Sequence, residues 1–251
     1  MSISCQQEIT INVKGLPNAT AYWKYEEVGN VTRVDSILGL ATEVLTGSVP
    51  NTAGVIGQAA FMANAFPFPL LMGDIFNPSG GTAWSAIPYN AISGASISVW
   101  LKYGGISNVG NPFNFTITFQ DLGGQIQEGF LIRGDNAGLN PTFSVDLLKH
   151  FGAVDATIDL ANVPLGSFHN IVVTYNQATH IARAYLDGVF IGQAAVATWI
   201  AAAAGSVVIE NPRYFDTTVD ELAIWTGTVL TDAQAAQAFN GGAGLRPPNV
   251  P

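Results

Sequence analysis

From residue 97 onward, apolar and polar residues alternate with a period of two in short segments bounded by Gly, Asn, Asp or Pro. This is the mark of strands with one buried face. The segments are ISVWL (97–101), FTITF (115–119), GFLIR (129–133), TFSVDLL (142–148), HNIVVTY (169–175), IARAYLD (181–187) and VDELAIW (219–225). Strands at this spacing, with almost no helix-length periodicity between them, predict an antiparallel sandwich rather than βαβ units. One helix is expected near the end. Thr231, followed three residues later by Gln234, forms a capping box ahead of AQAAQAF, and Asn240, Gly241 and Gly242 stop it. The tail AGLRPPNVP has three prolines in its last six residues and is expected to leave the domain as an extended strap or a disordered end. The first 90 residues are less legible, because stretches such as FPFPLLMGDIF place proline where a central strand would need N–H donors.

One segment tests this reading. Residues 189–209, VFIGQAAVATWIAAAAGSVVI, are uncharged over about the 20 residues a membrane helix requires. Gly, Gln, Thr and Ser interrupt the run, and it is built on Ala rather than Leu. It therefore reads as a strand at 189–193, an Ala-rich connector, and a strand at 206–210.

Composition agrees with a folded, turn-rich β protein: 48% of the 251 residues are hydrophobic, only 11% are charged, and there are 27 glycines and 13 prolines. The expected layout is an arm or edge strand at 1–19, one domain at 20–242, and the Pro-rich tail at 243–251. Nine basic against 18 acidic residues give a net charge of -9, and no basic run reaches three residues. Nucleic acid is therefore not expected as a partner, and an anionic membrane surface is disfavoured. Cys5 is alone, so the core or a metal, not a disulfide, must hold the fold. The start MSISCQQEITINVKG shows no secretory leader, so the chain is expected to stay where it is made or to leave by another route, such as assembly into a virus particle.

The second half carries an ordered set of motifs. A hairpin bears Tyr185, Asp187 and Gly188; a later strand bears Val219, Asp220 and Glu221; a short helix opens with Leu230, Thr231, Asp232 and Gln234. In this order they resemble the laminin G-like branch of the concanavalin A-like lectin/glucanase superfamily. AYWKYEE (21–27), VDS (34–36) and GVIGQAAFM (54–62) fit its opening strands more loosely. The resemblance implies an all-β, two-sheet jelly roll with a short C-terminal helix. It also implies a structural calcium ion on the convex side, held by Asp220 with Asp35 as its acidic companion, unless Asp220 caps a turn or pairs with Arg213.

Catalysis is not expected. Glycoside hydrolysis needs two carboxylates across the scissile bond, and no acidic pair stands at i and i+2. Asp155 and Asp159 could share a strand face, the basis of a degenerate-hydrolase reading, but read better as solvated turn acids. No nucleophile elbow, zinc motif or phosphate loop is present. His150, His169 and His180 read as structural residues. Sugar recognition would use exposed aromatics in Asn- and Gly-rich loops, and Trp84, Tyr103 and Tyr214 are the candidates, with core or rim packing as the equal alternative for each. Trp23, Trp100 and Trp225 fall on core positions. Arg133-Gly134-Asp135 is ordinary turn chemistry. The sequons at Asn18, Asn30 and Asn114 matter only in a eukaryotic secretory pathway. The expected function is surface contact without catalysis, as a virion-associated structural, decoration or adhesion protein touching other virion or surface proteins, with a glycan-binding cell-surface module as the alternative. Homo-oligomerisation on a symmetric particle would follow.

Overall fold

The computed structural model describes residues 15–27, 36–37, 51–62, 94–106, 113–121, 126–134, 142–149, 153–197, 205–210 and 215–250. Among the described residues, thirteen strands form two antiparallel sheets, accompanied by one α-helix. The larger has eight strands. Across it run β11 (Val189–Ala195), β10 (Ile181–Leu186), β9 (Phe168–Asn176), β4 (Gly94–Ile106), β13 (Phe215–Thr226), β3 (Gln58–Met62) and β2 (Asn51–Ala53), with β1 (Ala21–Trp23) also paired to β13. The smaller runs β12 (Gly205–Glu210), β5 (Phe113–Asp121), β6 (Ile126–Gly134), β7 (Thr142–Lys149) and β8 (Ala153–Asn162).

Period-two alternation decides which residues meet between the sheets. Ile97, Val99, Leu101 and Tyr103 of β4 face inward, against Phe115 and Ile117 of β5, Phe130 and Ile132 of β6, and Val145 and Leu147 of β7. Trp23 joins this core from β1. The outward residues of the larger sheet are also largely covered. Helix α1 (Asp232–Phe239) lays Ala235 and Ala238 over Tyr22, Val172, Tyr185 and Trp225 to make a second apolar cluster. The expected capping box is formed: Gln234 N–H donates to the Thr231 hydroxyl at 3.3 Å, and Thr231 N–H donates to the Gln234 side chain at 2.9 Å. Asn240 closes the helix in the left-handed conformation.

Two expectations about the ends are corrected over the described residues. Residues 243–250 do not leave the domain. Asn249 exchanges two hydrogen bonds with the backbone of Ala19, Pro247 is buried, Val250 packs on the outer cluster, and Arg246 reaches Glu221. Prolines that cannot enter a sheet can still lie across one. At the other end, Leu16 and Ala19 belong to the same cluster, and the Trp225 indole N–H donates to the Pro17 carbonyl at 3.1 Å. Residues 15–19 are thus part of the domain.

Candidate functional site

Asp220 and Glu221 occupy a β-bulge. Asp220 pairs with Trp100 and Ala223 with Ser98, so β13 spends one residue more than β4, and Glu221 takes up the excess with φ 47°. Val219 and Leu222 keep facing the core, while both acids are turned to groups outside it. Asp220 is 0% exposed. Its Oδ2 accepts the backbone N–H groups of Val55 (2.7 Å) and Ile56 (3.3 Å) in the β2–β3 turn, and its Oδ1 accepts that of Glu221 (3.0 Å). Burial pushes its carboxyl up to about 7 despite these donors. Asp220 therefore caps a turn. Glu221 accepts the Tyr22 hydroxyl and a forked pair of bonds from Arg246, whose guanidinium also binds Glu26. Burial raises the Glu221 carboxyl, and Arg246 opposes the rise.

Among the described residues this set does not fit a calcium ion. The oxygens of Asp220 are taken by N–H donors, Arg246 supplies the positive charge for Glu221 and Glu26, and no three His, Cys, Asp or Glu side chains come together as a metal site. Asp35 and Arg213 lie outside the described residues.

Trp84 and Tyr214 also lie outside them. Tyr103 is corrected. Its ring is 0% exposed, stacked on Phe143 at 4.5 Å in the inter-sheet core, and has no face to offer a sugar. It stands in phase with Ile97, Val99 and Leu101, and that phase was readable in the strand. Trp23, Trp100 and Trp225 are buried as expected. Asp155 is a strand residue of β8, not a turn acid: Lys149 donates to it at 3.0 Å and Ala197 N–H also donates to it, which together hold its carboxyl below the usual range. Asp159 sits in the same strand, exposed and opposite Ser144. His169 and His180 do not meet as a pair; His169 Nδ1 bonds Asp187 Oδ2 at 2.7 Å. A residue missed from sequence is Asp146, fully buried on β7, which accepts from the Thr157 hydroxyl at 2.7 Å and lies 3.5 Å from Arg133 Nε.

The open geometry lies beside α1, on the outer side of the larger sheet. At the helix N-terminus a cleft of about 660 Å³ is bounded by Thr174 and Asn176 of β9, Arg183 of β10, Gln193 of β11, and Thr231 and Asp232. Ile181, Val229 and Leu230 give it an apolar lining. Its one carboxylate, Asp232, accepts from Arg183 and from the Tyr185 hydroxyl (2.8 Å), and these bonds hold it below the usual carboxylate range. A smaller cleft of about 490 Å³ lies one row beyond Trp100, around Lys102, Thr218 and Phe61.

The two-sheet architecture with its terminal helix agrees with a sequence match over residues 79–236 to the concanavalin A-like lectin/glucanases superfamily, in its laminin G-like form. The chain belongs to that superfamily. No curated protein matches it in sequence. Among solved structures, this superfamily member is similar to domain 4 of AbnA, a GH43 extracellular arabinanase from Geobacillus stearothermophilus, in complex with arabinotriose. The TM-score is 0.57 at 16% identity, over 87% of this chain and 97% of that one. It is similar to the binding domain of Paraclostridial Mosquitocidal Protein 1 (TM-score 0.63, 16% identity, 89% of this chain and 52% of that one). A structure of botulinum neurotoxin type C, whose cell entry depends upon interaction with two ganglioside molecules, matches with a TM-score of 0.53 at 13% identity, over 88% of this chain and 51% of that one. The chain thus spans about half the length of these toxin structures. At such identities the likeness speaks for the fold alone.

Proposed function

We propose that the chain is a non-catalytic module that works by surface contact and binds glycans. The observation that carries this reading is the cleft at the N-terminus of α1. It joins hydroxyl and amide side chains to an apolar lining and contains a single carboxylate, already engaged by Arg183 and Tyr185. Sugar recognition uses such a lining. A glycosidase would need a second, unengaged carboxylate across the cleft. Asp155, the other acid considered for catalysis with Asp159, is committed to Lys149 and Ala197. Structures of the same fold solved with arabinotriose, or concerned with ganglioside interaction, are in keeping with the reading.

Display on a virion or cell surface is the setting we propose for such contact, and co-purification with particles tests it. The docked residues 243–250 do not serve as the strap for that attachment; other surfaces would have to. The binding reading is tested on a glycan array, with and without a chelator. Saturable binding that survives chelation is expected, because Arg246 supplies the positive charge beside Glu221 and Glu26, and backbone N–H groups hold Asp220. Failure to bind any glycan would overturn the reading.

A further inference from the structure

Thr174 is 1% exposed, and its Oγ1 makes no hydrogen bond. A buried hydroxyl without a partner costs free energy in the fold, so its presence needs a reason. Cross-strand register supplies the setting: Arg183, Thr174 and Ser96 stand in one outward row across β10, β9 and β4. The Ser96 hydroxyl is fully used, donating to the Thr228 carbonyl and accepting from Leu230 N–H, which ties down the lead-in to α1. Thr174, one strand over, lines the cleft instead. Beside it, Arg183 gives both terminal nitrogens to Asp232, and its Nε is closed off without a partner. Two orphaned polar atoms therefore belong to cross-strand partners that both line one cleft.

We infer that this cleft is a binding site for a neutral oligosaccharide, with Thr174 and Arg183 fixing the orientation of its hydroxyls. The inference rests on the glycan-binding reading and gives it a place and a ligand class. A sugar hydroxyl both donates and accepts, so it can serve Thr174 Oγ1 and Arg183 Nε together. Neutrality follows from charge: among the described residues of the lining, Arg183 and Asp232 are the charged ones, and they are bonded to each other. A carboxylate-bearing sugar would have to displace Asp232 from Arg183. The guanidinium also lies over the Phe190 ring, 4.4 Å from its centre. Ile181, Val229 and Leu230 offer the apolar surface on which C–H faces of a sugar ring settle. Both orphaned atoms are closed to solvent in the unliganded chain, so the proposed contact requires lining side chains to shift as the ligand enters.

The test compares the wild-type chain with Thr174→Val and Ala233→Trp, using maltotriose, cellotriose, arabinotriose and trigalacturonate as probes in calorimetric titrations. Thr174→Val keeps the branched shape and removes only the orphaned hydroxyl. It is expected to melt no lower than wild type, yet to bind a neutral trisaccharide about tenfold more weakly. Ala233→Trp places an indole at the mouth of the cleft from an exposed helix position and should abolish binding. A neutral trisaccharide bound equally well by wild type and both variants would overturn the cleft while leaving glycan binding intact. Binding of trigalacturonate alone would overturn the ligand class, and a lower melting temperature for Thr174→Val would show that the hydroxyl is needed by the fold. No binding of these probes by any form, with a silent glycan array, would remove both the inference and the reading beneath it.

Discussion

At Gly54 the chain passes so close to a buried acid that no other residue fits. A Cβ built there would lie 2.5 Å from Asp220 Oδ2 and 2.9 Å from the backbone of Gln58. The β2–β3 turn must hold this position to present the N–H groups of Val55 and Ile56 to the carboxylate. Gly54→Ala is therefore expected to cost about 2 kcal/mol through overpacking, read as a lower urea midpoint at unchanged slope; an unchanged midpoint would contradict this packing. The Asp220 carboxyl titrates at about 7 in the fold, well above an ordinary Asp, because burial disfavours its charge. Between those two values the folded state binds more protons than the unfolded one, so this group's contribution is present at low pH and lost as pH rises to about 7. Asp220→Asn should flatten that part of the melting-temperature profile between pH 4 and pH 7. A profile as steep as wild type's would place the titration elsewhere.

At the scale of elements, the segments with clean alternation became strands within a residue or a few of where the sequence places them. ISVWL lies inside β4, HNIVVTY inside β9, and IARAYLD covers β10 with its turn. Strand β8 is less legible: Ile158 and Leu160 face the core, but two acids four residues apart, Asp155 and Asp159, fit a shared strand face or a solvated turn equally when burial is unknown. The tail was misjudged because its prolines argue against a strand but say nothing about docking, which depends on Arg246 meeting Glu221 across 25 residues. Removing that guanidinium strands a buried Glu, so Arg246→Ala is expected to cost about 3 kcal/mol. It should also expose residues 243–250 to limited proteolysis; a tail that stays resistant would mean that Asn249 and Val250 hold it alone. The cap of α1 is smaller in effect: Thr231→Ala should lose about 1 kcal/mol in chemical denaturation.

Across the whole molecule, the superfamily and its two-sheet architecture were legible from the order of motifs, since strand phase and turn chemistry are local properties. The site was not. Tyr103 borders a Gly-rich stretch but stands in the phase of the core, the motif around Asp220 does not announce which N–H donors reach it, and Trp84, Tyr214 and Asp35 lie outside the described residues. The cleft beside α1 draws Thr174, Arg183, Gln193 and Asp232 from separate strands and a helix start, a grouping no single segment announces. Asp232 is engaged by Arg183 and Tyr185, and Asp155 by Lys149 and Ala197. The most direct test incubates the chain with a panel of immobilised polysaccharides and measures retained protein and released reducing ends together. Saturable retention on at least one neutral polysaccharide, with no reducing ends above the protein-free control, is expected; release of reducing ends, or no retention on any of them, would overturn non-catalytic glycan binding.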